Sequence, residues 1–237
     1  MFSATETICN HTFLSRFINP ASIVLDFGAN HGEFCHGVIE RFGCRVFSAE
    51  PLPELRDLIL PHPLLQTYTV AVGGEDGDVV LKVSSKHGAS IRGHLKAAES
   101  LADRSVPMVT FGGFLRLASI KHVDLLKVDI EGAEIGLFNS CSDEELRDIV
   151  QIAVEFHDFL YEDQRDFVVQ IKKHLADIGF WVLPFSLDNS NVLFLNRTSG
   201  VSLAEIAYLR TISRYGQGVM RRLRRSVRAS APPVNVH

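Results

Sequence analysis

The segment Leu25-Asp26-Phe27-Gly28-Ala29-Asn30-His31-Gly32 constrains this chain more than any other. It closes an apolar run over 22–28, which reads as a strand buried on both faces. It also opens a helix over Glu33–Phe42, where Phe34, Val38, Ile39 and Phe42 recur at helical spacing and Gly43 supplies a stop. A buried strand that feeds a helix through a glycine turn begins a parallel α/β sheet. Open sheets of that kind bind ligands at the carboxyl ends of their strands. Gly28 and Gly32 let the backbone approach such a ligand closely.

The rest of the chain continues the alternation. Strands are expected over Arg45–Ala49, 65–72, 123–130 and 148–156, and a closing pair over 181–185 and 191–195. Helices are expected over 53–60, 111–119 with Thr110 as N-cap, 133–140 and 165–178. The last carries Phe167, Val168, Ile171, Leu175 and Ile178 on one stripe. Alternating elements imply a parallel sheet with helices on both faces, and the closing pair implies an antiparallel strand at one edge. The stretch between the third and fourth main strands reads differently. Residues 78–83 alternate as an exposed antiparallel strand, 86–90 read as a loop, 97–103 as irregular or weakly helical, and 106–109 as a short strand.

A domain of about 180 residues accounts for this pattern, preceded by a segment over 1–21 and followed by a distinct tail over 201–237. With 46% hydrophobic residues the chain can fill a core without disulfide or metal support. Cys9, Cys35, Cys44 and Cys141 form no CxxC pair and read as incidental thiols of a reducing compartment. The first residues lack the pattern of a signal peptide, and no apolar run is long enough to span a membrane, so the expected location is the cytoplasm. The net charge of -4 argues against nucleic-acid binding. From position 201 on, seven Arg and one Glu give +6, which leaves -10 on the rest. The tail therefore reads either as a solvated or packed helix, or as a basic amphipathic segment for anionic membrane or a polyanionic acceptor. Oligomeric state is not legible.

Two ligand classes compete for the first turn. A dinucleotide site requires GxGxxG, so that helix N-terminal amides meet a pyrophosphate. This chain instead spaces its glycines as GxxxG and places Asp26 at the strand end. An acid there suits the ammonium of S-adenosylmethionine, which has no phosphate. Glu50, at the end of the second strand, suits ribose hydroxyls in either ligand class.

A second constellation is Leu125-Leu126-Lys127-Val128-Asp129-Ile130-Glu131-Gly132-Ala133-Glu134. Period-two alternation puts Lys127, Asp129 and Glu131 on one side, and Glu155 and His157 reach the same edge from the next strand.

At this point the sequence resembles the FkbM family of S-adenosylmethionine-dependent methyltransferases. The matching pieces are LDFGANHGEF, AEPLPE after the second strand, VAVGG after the third, and LLKVDIEGAE, spread over 22–197. The resemblance implies a Rossmann-like class I methyltransferase fold with a mostly parallel seven-stranded sheet, S-adenosylmethionine as cofactor, and O-methylation of a sugar, glycan or natural-product hydroxyl. The expected cofactor-binding residues are Asp26, Gly28, Ala29, Asn30, Gly32, Glu50, Pro51, Ala71, Val72 and Asp129.

Methyl transfer to a hydroxyl needs in-line positioning and a proton acceptor. His157 or Asp129 is the expected base, with Lys127 or Glu131 orienting the site; Lys127 reads equally as a buried ion-pair partner of Asp129 or Glu155. No metal is expected, the less favoured reading being a divalent site of Asp129, Glu155 and His157, joined by Glu131. Ser84, Ser85, Lys86, His87, Ser90 and Arg92 read as a lip for a hydroxylated acceptor or as a solvated loop. The competing functions are a degenerate methyltransferase fold acting as a binding module and a nicotinamide-dependent oxidoreductase.

Overall fold

The computed structural model describes residues 5–84, 88–90, 100–157, 164–186 and 190–213, with the side chains of 84–102 and 212–213 outside that description. Three sheets are present among them. The main sheet contains β3 (Ile23–Phe27), β4 (Arg45–Ala49), β5 (Leu65–Tyr68), β10 (Leu125–Val128), β11 (Gln151–Glu155), β12 (Phe180–Pro184) and β13 (Asn191–Asn196). Their spatial order is β12-β13-β11-β10-β3-β4-β5. Neighbours from β11 to β5 pair in parallel, whereas β13 lies between β12 and β11 and runs antiparallel to both. This is the parallel sheet with an antiparallel edge pair expected from the alternation, with the seven strands that the family resemblance implies.

Period-two alternation sorts the strand residues into two cores. Leu25, Phe27, Leu126, Val128, Ile152 and Val154 face one side. Val24, Val46, Leu125, Ala153 and Leu193 face the other. Helix α1 (Glu33–Phe42) covers the second face with Phe34, Cys35, Val38 and Ile39. Each such fully buried side chain contributes roughly 1.5–3 kcal/mol. Helix α3 (Phe111–Ala118) covers the first, with Phe114 edge-on to Phe27 at 4.8 Å between ring centroids. The Thr110 hydroxyl accepts from the Gly113 N–H and caps that helix as expected. Helices α4 (Glu134–Ser140), α5 (Asp143–Arg147) and α6 (Arg165–Asp177) complete the covering layers, and the short α2 (Pro53–Arg56) follows β4. Among the described residues no helix is long and apolar enough to cross a membrane.

The stretch between β5 and β10 departs from the reading in two ways. The expected strand over 65–72 is divided: β5 stays in the main sheet, while β6 (Ala71–Val72) joins a four-stranded sheet of order β6-β9-β7-β8. In that sheet β7 (Gly77–Ser84) pairs antiparallel with β9 (Ser100–Val109), and β8 (Gly88–Ser90) flanks β7. The irregular or weakly helical segment over 97–103 and the loop over 86–90 are thus corrected in part to strand. The cause is a sheet with one wetted face: Val106 and Met108 are buried, while Asp103, Ser105 and Pro107 point to solvent. Polar residues in such a strand hide its periodicity.

The N-terminal segment forms a hairpin of β1 (Thr5–Ile8) and β2 (His11–Leu14). Its two-residue turn places Cys9 and Asn10 at φ 46° and 67°, the left-handed pair that a tight hairpin requires. The Gln151 side chain, buried on β11, accepts from the Leu14 N–H at 2.9 Å and donates to the Leu14 carbonyl at 3.2 Å. That clamp fixes His11 over the strand ends. Helix α7 (Leu203–Tyr208), capped by Ser202, begins the tail. The arginine-rich part expected to meet membranes or polyanions lies outside the described residues, as do the side chains of the expected polar lip at 84–92.

Candidate active site

The carboxyl ends of β3, β4 and β10 border an open cleft lined by Gly28, Asn30, Glu50, Asp129 and Glu131. Its floor is the turn after β3. Gly28 adopts φ 79° and Asn30 φ 51°. A Cβ on Gly28 would sit 1.9 Å from the Asp129 carbonyl oxygen, so only glycine lets the ends of β3 and β10 meet there.

Four of the turn's amides are used within the protein. Gly28 and Ala29 donate to the Ala49 carbonyl at 3.0 and 3.1 Å, and Gly32 donates to the Ala29 carbonyl at 2.8 Å. Asn30 donates to Glu50 Oε2 at 2.8 Å, while Leu52 donates to Glu50 Oε1 at 3.0 Å. Glu50 is thereby locked at the cleft wall with lone pairs left for hydroxyl donors. Burial pushes its pKa above the usual glutamate range, against the lowering pull of those two N–H bonds.

Of the expected cofactor residues, Gly28, Asn30, Glu50, Pro51, Ala71, Val72 and Asp129 line the cleft. Three do not. Ala29 is packed in the core beside α1, and Gly32 caps that helix. Asp26 is fully buried beneath the turn. It lies directly opposite Lys127 in the parallel register of β3 and β10, and its Oδ1 is 2.9 Å from Lys127 Nζ. Asp26 is therefore corrected from a contact for a ligand ammonium to the partner of an internal cation.

Lys127 is held entirely within the protein. Its ammonium donates to the Gly28 carbonyl at 2.7 Å and to the Phe27 carbonyl at 3.3 Å. Burial opposes its charge, but Asp26 and Asp129 together raise its pKa above the ordinary lysine value. The expected ion pair with Asp129 is present at 4.0 Å to Oδ2, but the closer partner is Asp26, which the sequence reading does not pair with Lys127. Lys127 braces the turn.

The acceptor end gathers Asp129, Glu131 and His157, with Glu155 beside them. His157 Nδ1 donates to Glu134 Oε1 at 2.8 Å, and its Nε2 faces Glu131 Oε2 at 3.5 Å and Asp129 Oδ1 at 3.7 Å. Burial disfavours the imidazolium, but the Glu134 bond and the nearby carboxylates outweigh it and push the His157 pKa up to about 9. A histidine so held favours the imidazolium, which makes it a weaker proton acceptor than its ordinary pKa suggests. Burial also acts to raise the Asp129 pKa, but the His11 hydrogen bond and the Lys127 charge hold it down at about 2. Burial raises Glu131, aided by its acidic neighbours and opposed by His157. Glu131 takes φ 51°, a strained value that turns its side chain into the cleft.

Two residues of the site escape sequence reasoning. His11 Nε2 donates to Asp129 Oδ2 at 3.3 Å across 118 positions of sequence, and no local pattern announces it. Glu134 stands in the LLKVDIEGAE motif, where its regular position after Glu131 was the available signal. Leu55 and Leu81 also wall the cleft, the latter from the second sheet. The less favoured metal reading is rearranged: ligand-type atoms cluster as Asp129, Glu131 and His157, and separately as His11, Asp129 and Glu155.

Comparison with curated proteins finds no match. Among solved structures, a chain from Anabaena variabilis assigned as a methyltransferase of an antibiotic biosynthesis pathway is 14% identical, with 74% of this chain covered and a TM-score of 0.33. This chain spans 65% of that one's length. A chain assigned as the methyltransferase partner of the Haloferax volcanii Trm112 activator is 10% identical (76% and 84% covered, TM-score 0.37). A Streptococcus pneumoniae chain assigned as a tRNA (m1A22) methyltransferase is 11% identical (94% and 88% covered, TM-score 0.40). The Methyltransferase FkbM domain matches residues 26–182, from the Asp26 turn through β12. With that match over well more than half its length, on a class I methyltransferase sheet, the chain belongs to the FkbM methyltransferase family.

Proposed function

We propose that this methyltransferase uses S-adenosylmethionine to methylate a hydroxyl of a sugar, glycan or natural-product acceptor. One observation supports the cofactor above the rest: the Gly28, Ala29, Asn30 and Gly32 amides of the turn are bonded inside the protein, and the Asn30 amide holds Glu50. Such a turn suits an adenosyl ligand whose ribose hydroxyls donate to Glu50, and it disfavours a nicotinamide dinucleotide.

The cofactor supplies an electrophilic methyl on sulfonium. The protein's task is to hold acceptor oxygen, methyl carbon and sulfur in line. As the oxygen bonds the methyl carbon, the carbon–sulfur bond breaks, leaving the neutral thioether. The hydroxyl proton passes to the Glu131 carboxylate at the cleft wall, whose basicity burial raises. His157, fixed by Glu134, faces Glu131 and Asp129 at 3.5 and 3.7 Å and steadies their charge.

The test is transfer of radiolabelled methyl from S-adenosylmethionine to a panel of hydroxylated acceptors. The reading expects a base-stable methyl ether on at least one glycan or polyketide hydroxyl. Label on carboxylates (as base-labile esters) or amines alone would reject hydroxyl methylation, and binding of the cofactor with no transfer to any acceptor would favour the degenerate binding module.

A further inference from the structure

The imidazole of His157 is arranged as metal-ligating histidines are. Its Nδ1–H is committed to Glu134 Oε1 at 2.8 Å. Glu134 is itself fixed, because both its oxygens accept from the Gly132 N–H at 3.1–3.2 Å and only 2% of the residue is exposed. A carboxylate behind the imidazole sets its tautomer and turns the other nitrogen outward. That nitrogen, Nε2, faces Glu131 Oε2 at 3.5 Å and Asp129 Oδ1 at 3.7 Å.

Those separations are long for hydrogen bonds. They match the span between ligand atoms that share an ion: two donors about 2.1 Å from one cation stand roughly 3.4 Å apart at a tetrahedral angle. Asp129 is also oriented from behind. His11 Nε2 lies 3.3 Å and Lys127 Nζ 4.0 Å from its Oδ2, so its Oδ1 is the atom turned toward His157. All three donor atoms lie within 4.8 Å of one another at the open side of the cleft, where Asp129 and Glu131 are wall residues.

We propose that Asp129 Oδ1, Glu131 Oε2 and His157 Nε2 bind one first-row divalent cation, with Glu134 and His11 as positioning residues behind them. One imidazole and two carboxylates suit manganese, iron or zinc better than magnesium or calcium, which prefer oxygen alone. Binding takes the proton from Nε2 and leaves the Nδ1–H bond to Glu134 intact. The consequence rests on the methyl-transfer reading above. An acceptor hydroxyl on the open side of the ion has its pKa lowered, and, with Asp129 and Glu131 engaged as ligands, its proton leaves to solvent and not to a carboxylate before the oxygen takes the methyl group.

Manganese(II) tests the site directly. Titration of the metal-free full-length protein, followed by electron paramagnetic resonance, should show one Mn²⁺ bound per chain. Electron spin-echo modulation should show one coordinated nitrogen, lost in His157→Ala. Glu131→Gln should weaken Mn²⁺ at least tenfold, and Glu134→Gln roughly 10- to 100-fold, the range typical for a partner behind a ligand. No bound Mn²⁺, or a nitrogen signal that persists in His157→Ala, overturns the proposal; Glu131→Gln serves if His157→Ala does not fold. Calorimetry with S-adenosylhomocysteine on the same samples separates the two readings. Binding of the nucleoside without Mn²⁺ rejects the cation alone, and Mn²⁺ without the nucleoside rejects the cofactor reading alone.

Discussion

Replacing Lys127 by Met should destabilise this protein more than any other single surface-neutral change near the cleft. The substitution keeps a similar apolar stem but removes the ammonium that faces Asp26 at 2.9 Å and binds the Phe27 and Gly28 carbonyls. Asp26 is fully buried, and its other contact is the Cys35 thiol, which donates to Oδ2 at 3.0 Å. A buried carboxylate stripped of its cation costs about 3–5 kcal/mol. For a chain of this size each kcal/mol lowers Tm by roughly 2–4 °C, so a fall of roughly 6–20 °C is expected. Urea unfolding followed by Trp181 fluorescence reads the change as a shifted midpoint at unchanged slope. Asp26→Asn together with Lys127→Met removes both charges and should recover at least ~1.5 kcal/mol over Lys127→Met alone. A loss below ~1 kcal/mol, or strictly additive single mutants, would refute the claim that this pair is an internal brace.

Three further outcomes follow from the geometry. Gly28→Ala should abolish cofactor binding, because its methyl group meets the Asp129 carbonyl at 1.9 Å and the residue must hold φ 79°; the left-handed backbone alone costs roughly 1–2 kcal/mol, and calorimetry with retained affinity would contradict the fit. Glu50 has a raised pKa, so its two pH dependences run in opposite senses. Its contribution to stability of the unliganded protein is full below the unfolded value of about 4.3 and declines as pH rises through the native one, whereas affinity for an adenosyl ligand should fall as pH drops through that same raised value. Parallel denaturation and binding titrations that move in the same direction would dismiss the Glu50 role. Ser142→Ala removes a reciprocal cap, in which the Ser142 hydroxyl accepts from the Glu145 N–H and Glu145 accepts from the Ser142 N–H, and should cost ~1 kcal/mol by urea midpoint.

The main sheet was legible because its strands are buried on both faces and end in Asp, Glu or Gly at the ligand edge. Glu50 and Asp129 were placed correctly at the cleft for that reason. Asp26 was misread because alternation within one strand says which side a residue takes but not what stands opposite. The register pairs Asp26 with Lys127, and an internal ion pair takes the acid that was expected to meet a ligand. Strand β9 was half hidden because one face of its sheet is wet. His11 was invisible in principle: the Gln151 clamp that positions it joins residues 137 apart. The charge of His157 was not legible either: its usual pKa suggests a base, whereas Glu134, buried behind it, favours the imidazolium.

The central claim is that the Gly28–Glu50 cleft is an adenosyl site and not a dinucleotide site. Isothermal titration of the wild-type protein and Glu50→Ala with S-adenosylhomocysteine and with NAD tests it most directly. One nucleoside bound per wild-type chain and no measurable NAD binding are expected. Loss of two hydrogen bonds to a charged group should weaken Glu50→Ala by at least about 3 kcal/mol, roughly a hundredfold. NAD binding tighter than S-adenosylhomocysteine, or nucleoside affinity unchanged in a folded Glu50→Ala protein, would contradict it.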